Sequence, residues 1–317
     1  MASTNSGRTQ KIWRDGRLVG WEDATIHVMS HVVHYGSSVF EGIRCYSSPN
    51  GPAIFRLREH MRRLLDSCKI YRLAIEHSLD DLVQAALDTV SANELEACYL
   101  RPVVLRTGEQ MGVYGLAAPV ETFIIAWKWG AYLGHDALES GVDVCVSSWR
   151  RPAPDTFPAL AKAGGNYLNS QLTKMEARQD SYVEGIMLDS FGYVSEGSGE
   201  NLFAIRDGVL HTSPISAGIL SGITRDSVLR IATDLGLPIR EQVLPREFLY
   251  LADELFFTGT AAEITPIRSV DRIVIGEGRP GALTRRIQDR YMGIAQGRIA
   301  DPYGWLTMVP TPVAVER

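Results

Sequence analysis

The segment EGIMLDSFGYVSEGSGENLFAIRDGVLHT, residues 184–212, decides the fold class. Its runs EGIMLD and ENLFAIR read as strands. Asp207-Gly208, just before VLHT, suits the positive φ angles of a tight turn and predicts a hairpin. A second such pair, Asp15-Gly16, separates KIW from RLVGW and predicts another over residues 11–21. Outward from these strands the spacing turns helical. Met61, Leu64, Leu65 and Cys68 predict a helix over 58–73, and further helices are expected near 78–90, 166–178, 225–235 and 283–297. Apolar, β-prone runs lie at 98–105, 122–127, 142–149 and 254–260. Hairpins interleaved with helices predict an α+β fold with mixed or antiparallel pairing, and argue against a doubly wound parallel sheet.

At 317 residues the chain is long for one core, so two domains are expected. The stretch GAYLGHDALESG, with Gly130 and Gly134, interrupts the pattern before a new strand starts. The expected division is residues 1–132, a linker at 133–139, and 140–317.

Lys and Arg number 32 against 37 Asp and Glu, a net charge of −5, which offers no global attraction for nucleic acid or an anionic membrane. Small-molecule partners are favoured. Cys45, Cys68, Cys98 and Cys145 are widely spaced with no C-x-x-C pair, which reads as four reduced thiols. The opening MASTNSGRTQK is polar, and no stretch approaches the roughly 18–20 apolar residues of a membrane span, so a cytoplasmic protein is expected.

Three patterns invite other readings. Gly276-Glu277-Gly278-Arg279-Pro280-Gly281 spells G-x-G-x-x-G between an apolar run and a helical pattern, but too little strand-forming sequence follows to complete a βαβ unit. A plain glycine-rich turn is expected, not a nicotinamide site. His27, His31 and His34 have ligand-like spacing, yet β-branched residues crowd IHVMSHVVHYGS and no Cys or acid lies within it. Packed or hydrogen-bonded histidines are expected, and no metal. Ser38 and Ser198 lack the G-x-S-x-G spacing of a hydrolase nucleophile.

Lys162, in LAKAGGNYLNSQL, sits between alanines and before two glycines. An amine acts as a Schiff-base nucleophile only after losing its proton, and apolar neighbours favour the neutral form. After AKAGGNYLNS come YVEGIMLDSFGYVSEGSGENLF, SGITRDSVL and FFTGTAAEITP, in order, with HVMSHVVHYGSSVFEGIR and REHMRRL upstream. This series resembles the branched-chain amino acid aminotransferases of the class IV pyridoxal-phosphate family, over about residues 11–308.

The resemblance implies a type IV fold: a smaller N-terminal α/β sandwich and a larger C-terminal pseudo-barrel domain that binds pyridoxal 5'-phosphate. It implies that Lys162 carries the coenzyme and moves the substrate proton, that Glu196 pairs with the pyridine nitrogen, and that Tyr167 bonds the ring oxygen. The expected phosphate site is Arg63, the Gly222-Ile223-Thr224 helix start, Gly259 and Thr260; Arg62 is expected in solvent. A helix N-terminus and a guanidinium fork both suit that anion. Tyr35, Phe40, Val113, Trp129 and Tyr132 are implied to line an aliphatic pocket. Tyr99, Thr260 and the Ala261 amide would meet the substrate α-carboxylate, and Arg101 the distal carboxylate of glutamate. Strand alternation puts Tyr99 and Arg101 on one face.

The implied activity is transfer of the amino group of leucine, isoleucine or valine to 2-oxoglutarate by a homodimer or higher homo-oligomer, with Tyr35 reaching the neighbour's site. Arg106 and Glu109-Gln110, ahead of Met111-Gly112-Val113, add charge and leave room for a broader acceptor range. Alternatives are a D-amino-acid or (R)-amine transaminase of the same fold, and a protein that binds the coenzyme without turnover. Tyr99-x-Arg101 and Met-Gly-Val favour the branched-chain reading over the first.

Overall fold

Both predicted hairpins form, and for the expected reason. Asp15 and Gly16 have φ of 40° and 92°, and Asp207 and Gly208 have 50° and 74°. Each pair closes an antiparallel ladder, at Arg14↔Arg17 and Arg206↔Val209. The computed structural model describes residues 9–130, 132–134 and 136–310. Its described residues group into two compact units, one of residues up to 129 with 161–165 and 293 onward, the other of 130–160 and 166–292.

The first unit holds an all-antiparallel sheet among the described residues. Its order is Leu306–Met308, Gly51–Phe55, Ile43–Ser48, Cys98–Arg106, Val120–Trp127, Lys11–Arg14, Arg17–Gly20, with Ser38–Phe40 also on Cys98–Arg106. The helices Leu57–Tyr71 and Leu79–Ala92 supply Met61, Leu64, Leu82, Ala86 and Val90 to a core shared with Ile43, Ile54, Leu100 and Ile124. Complete burial of each Leu or Ile contributes about 1.5–3 kcal/mol. Ser78 and Asp81 form a reciprocal cap at the start of the second helix.

The second unit holds a mixed sheet in the order Val194–Gly197, Glu184–Leu188, Val142–Arg150, Glu263–Val270, Glu254–Gly259, Asn201–Arg206, Val209–Thr212, Ile239–Glu241. Val142–Arg150 runs parallel to both its neighbours, and Val209–Thr212 runs parallel to Ile239–Glu241. Phe203, Phe256 and Phe257 are fully buried in this unit.

The grouping changes at 129–130 instead of within 133–139, and two short stretches rejoin the first unit. Backbone pairing explains both: Leu306–Met308 pairs with Gly51–Phe55, and Ala163 bridges Val39. Sequence reading also passes over the hairpin Ile43–Ser48 and Gly51–Phe55, whose turn is Pro49-Asn50. Among the described residues no helix is long and apolar enough to cross a membrane.

The glycine-rich stretch at 276–281 is a turn whose following helix, Ala282–Ala295, has its first amides already occupied. Leu283 and Thr284 donate to the Glu254 carboxylate at 3.1 and 2.7 Å. A Cβ at Gly281 would lie 2.0 Å from Glu254 Cδ, so the glycine serves this cap. The histidine segment does contain a short helix, His31–Tyr35, despite its valines. Its histidines are hydrogen-bonded as expected: His31 Nδ1 to Ser37 Oγ and Nε2 to the Gly112 carbonyl, His34 Nε2 to the Val28 carbonyl. No metal-binding cluster occurs among the described residues.

Candidate active site

In the first unit, Lys162 is fixed by its backbone. Its N–H donates to Ser67 Oγ at 3.1 Å, and its carbonyl accepts from the Phe40 N–H at 2.9 Å. Ala161 and Ala163 on either side are buried, while Lys162 is half-buried, with Nζ 5.1 Å from the Phe40 ring centroid. A Cβ at Gly164 would meet Ser38 Oγ at 2.4 Å, so the small residue after Ala163 is demanded by packing.

The buried face of the Leu57–Tyr71 helix carries His60 and Ser67, with Arg63 between them at helical spacing. Arg63 Nε and Nη2 donate to the two oxygens of Glu41 at 2.7 and 2.8 Å, and His60 Nδ1 lies 2.7 Å from Glu41 Oε2. Glu41 is completely buried. Burial raises its pKa, but the charges and hydrogen bonds of Arg63 and His60 outweigh this and hold the carboxyl far below the usual range. Burial lowers the pKa of His60, Glu41 opposes, and Arg63 and Lys162 add to the lowering; the net direction is down, toward neutral imidazole. Arg62 is exposed, as expected.

Tyr99 and Arg101 do share a face. Arg101 Nη2 is 3.5 Å from the Tyr99 hydroxyl, and the guanidinium lies 4.5 Å from the Phe40 centroid and 5.5 Å from that of Tyr99. Arg101 Nε is buried with no hydrogen-bond partner among the described residues. A buried unpaired guanidinium nitrogen is costly unless an anion completes it. Trp129 packs edge-on against Tyr99 at 4.3 Å. Tyr35 and Val113 stand apart on the surface, 40% and 87% exposed, and the Tyr35 hydroxyl accepts from the Gly112 N–H at 3.0 Å.

In the second unit, Glu196 is the penultimate residue of the Val194–Gly197 strand, 6% exposed. Its Oε1 pairs with Arg151 Nε at 3.2 Å, and its Oε2 accepts from Asn201 Nδ2 at 3.0 Å and the Leu220 N–H at 3.1 Å. Each of these three partners is a donor, an arrangement suited to a carboxylate anion. Arg151 and Asn201 escape sequence reading. Gly222 serves Asn201, since a Cβ there would lie 1.9 Å from Asn201 Oδ1.

Gly222 is also the N-cap of the helix Ile223–Asp234, whose first turn contains the buried Thr224. Tyr167 begins the helix Tyr167–Gln179, and Thr260 and Ala261 are half-buried in the turn after Glu254–Gly259. At Gly259 a Cβ would meet nothing nearer than 3.4 Å, so packing within the chain does not require that glycine. Tyr132 is 37% exposed, with Lys174 Nζ 5.4 Å from its ring centroid. Arg106, the departure noted in the sequence, is buried and donates from Nη2 to the Arg72 carbonyl at 2.7 Å. It thereby holds the end of the Leu57–Tyr71 helix.

Taken unit by unit, the kinds of group present are those a phosphorylated pyridine aldehyde calls for: a half-buried lysine and an arginine in the first unit, a carboxylate among donors and a helix N-terminus in the second. The amino-transferase class IV family model matches residues 38–270. The branched-chain-amino-acid aminotransferase of Escherichia coli (strain K12) is 55% identical over 299 residues, 94% of this chain and 97% of that protein. The crystal structure of the Escherichia coli branched-chain amino acid aminotransferase has a TM-score of 0.91 at 53% identity, covering 96% of this chain and 100% of that one. The branched-chain amino acid aminotransferase of Thermobaculum terrenum, solved in its PLP-form, has a TM-score of 0.89 at 36% identity, covering 95% and 99%. The α+β fold is thus that of the type IV pyridoxal-phosphate enzymes, and the chain belongs to the class IV amino-transferase family, among its branched-chain-amino-acid aminotransferases.

Proposed function

We propose that the chain transfers the amino group of leucine, isoleucine or valine to 2-oxoglutarate with pyridoxal phosphate as coenzyme, in two half-reactions with ping-pong kinetics. The observation that carries this reading is the setting of Lys162, held by Ser67 and Phe40 between two buried alanines. When bound, pyridoxal phosphate supplies an electron-withdrawing ring that stabilises negative charge at the substrate Cα. Lys162 takes and returns the proton at that carbon. Glu196 keeps a proton on the ring nitrogen, and its ring of donors supports that charge. Tyr167 donates to the ring oxygen. Arg63, the amides and hydroxyl at Gly222, Ile223 and Thr224, the Gly259 backbone and the Thr260 hydroxyl bind the phosphate.

Arg101, with its unpaired Nε, receives the distal carboxylate of glutamate, while Tyr99, Thr260 and the Ala261 N–H hold the α-carboxylate. Phe40, Trp129, Tyr132, Val113 and Tyr35 line the aliphatic pocket, where one methylene is worth only about 1–3 kcal/mol, so the three substrates are accepted together.

The working form is a homodimer. Val28, Val33, Met111, Val113 and Tyr114 are all more than half exposed, on segments tied together by the His31 and Tyr35 hydrogen bonds to Gly112. An apolar patch of this kind marks an interface. Tyr35 and Val113 stand on it and reach the site of the second copy. We place the chain in the cytoplasm, in keeping with four widely spaced cysteines that read as reduced thiols.

The test is the visible spectrum of the holoenzyme before and after L-leucine, beside Lys162→Ala. Conversion to the pyridoxamine form in the wild type alone is expected. Normal turnover in the variant, or a response to D-alanine with none to L-leucine, overturns the reading.

A further inference from the structure

We propose that Glu41 is a positioning residue that aims Arg63 at the coenzyme phosphate, by holding the guanidinium in a two-pronged grip from behind. The inference rests on the reading of Arg63 as a phosphate ligand. Three observations lead to it. First, Glu41 is 0% exposed, and a buried carboxylate is a poor device for stability alone, since desolvation offsets most of the attraction. Second, its two oxygens take Arg63 Nε and Nη2 at 2.7 and 2.8 Å, which fixes the guanidinium plane and leaves the outer edge, Nη1 and the second Nη2 hydrogen, as the face that Glu41 does not use. Third, Glu41 is itself held: His60 Nδ1 lies 2.7 Å from Oε2, and the Glu41 N–H donates to the Pro102 carbonyl at 2.8 Å.

The same short segment fixes other groups of the site. Phe40, the preceding residue, meets the Lys162 carbonyl and lies under its amine. Gly42, the following one, leaves room for the Tyr99 hydroxyl. Glu41 therefore stands where the positions of the lysine, the carboxylate-binding tyrosine and the arginine are set together.

Two effects oppose one another. Removing the Glu41 charge would leave Arg63 more positive and draw phosphate from a distance. It would also release a side chain whose phosphate hydrogen bonds depend on a fixed plane. Arg63 is only 13% exposed, so it works in contact with its ligand, and orientation outweighs net charge.

The experiment compares retention of pyridoxal phosphate with retention of pyridoxal by the full-length protein, followed by coenzyme absorbance, in wild type, Arg63→Ala, Glu41→Gln, Glu41→Asp and the Arg63→Ala/Glu41→Gln double variant. The ratio of the two affinities isolates the phosphate contribution, and a general loss of packing lowers both alike. Expected is a fall of tenfold or more in that ratio for Arg63→Ala and for Glu41→Gln, with the double variant no worse than Arg63→Ala. Glu41→Asp keeps the charge but withdraws it by one methylene, and it should lower the ratio as well. A ratio unchanged or raised in Glu41→Gln or Glu41→Asp, while Arg63→Ala lowers it, overturns the role of Glu41 and leaves Arg63 in place. An unchanged ratio in Arg63→Ala removes the phosphate reading of Arg63 and the inference with it. If Glu41→Gln does not fold, Glu41→Asp decides.

Discussion

A Cβ on Gly42 would lie 1.8 Å from the hydroxyl oxygen of Tyr99. The glycine is thus a condition for the place of that hydroxyl, beside Arg101 and against Trp129. Gly42→Ala must push the Tyr99 ring aside, because the strand behind it is paired and cannot retreat. The expected result is a KM for L-leucine raised about tenfold or more, the loss of one hydrogen bond to a charged group at about 1.5–3 kcal/mol. Coenzyme absorbance should be retained. Steady-state kinetics check this, and an unchanged KM in a folded variant would remove Tyr99 from the carboxylate site.

Asn201 joins Glu196 to the Leu220 loop by donating to Glu196 Oε2 and to the Leu220 carbonyl, both at 3.0 Å. Asn201→Ala withdraws one of the donors that support the Glu196 charge. A fall in kcat of roughly tenfold to a hundredfold is expected, again from about 1.5–3 kcal/mol. Gly222→Ala should act in the same direction, since its methyl would displace Asn201 Oδ1. Unaltered kcat and coenzyme spectrum in both variants would show that Glu196 does not depend on Asn201.

Glu200, four residues beyond Glu196, is 3% exposed, and its Oε1 has no hydrogen-bond partner among the described residues. Burial and the like charges of Glu184 and Glu196 push its carboxyl up to about 8, against the pull of Lys174 and the Gly199 N–H. Unfolded, a glutamate titrates at about 4.3. Between these values the folded chain holds a proton that the unfolded chain releases, so this group makes the wild type less stable as pH rises through the window. Glu200→Gln removes the effect. The melting temperature of the variant should equal that of the wild type near pH 4, exceed it increasingly up to about 8, where the folded carboxyl titrates, and level off above. A difference independent of pH would sink the assignment of a buried neutral acid.

What is legible in the sequence is what the chain demands locally. Asp15-Gly16 and Asp207-Gly208 announce positive φ, and the helix over Leu57–Tyr71 is written in the spacing of its core residues. Lys162 is legible through its motif. The supports of the site are not, because a buried carboxylate is explained only by partners that folding delivers. Glu41 meets His60 and Arg63 from 19 and 22 positions away, and Arg151 reaches Glu196 across the sheet. The Ile43–Ser48 and Gly51–Phe55 hairpin is hidden for another reason. Its Ser, Pro and Asn residues carry turn signals into the strands, and pairing with Cys98–Arg106 overrides them.

Val113 is 87% exposed, and the neighbouring Tyr114 is 81% exposed. If this patch covers a second copy, Val113→Asp places a charge where both copies must desolvate it. The apparent mass by light scattering should fall from dimer to monomer at micromolar concentration, and turnover should fall with it. A monomeric wild type, or a dimeric and fully active variant, would exclude this surface as the interface.

Arg106 sits where the sequence leaves room for altered acceptor selection, and its position gives it a different task. The side chain is buried, and its Nη2 donates to the carbonyl of Arg72, the left-handed residue, φ 52°, that ends the Leu57–Tyr71 helix. Arg106→Met keeps most of the apolar contact and deletes the bond, so stability should fall by about 1.5–3 kcal/mol, the value of a hydrogen bond from a charged donor. The KM for 2-oxoglutarate should stay within about twofold of the wild type, because differences below about 0.4 kcal/mol fall in that range. Thermal denaturation and acceptor kinetics separate the two roles. A raised KM at unchanged melting temperature would return Arg106 to the substrate, whereas a lowered melting temperature with unchanged selectivity confines its charge to the helix end.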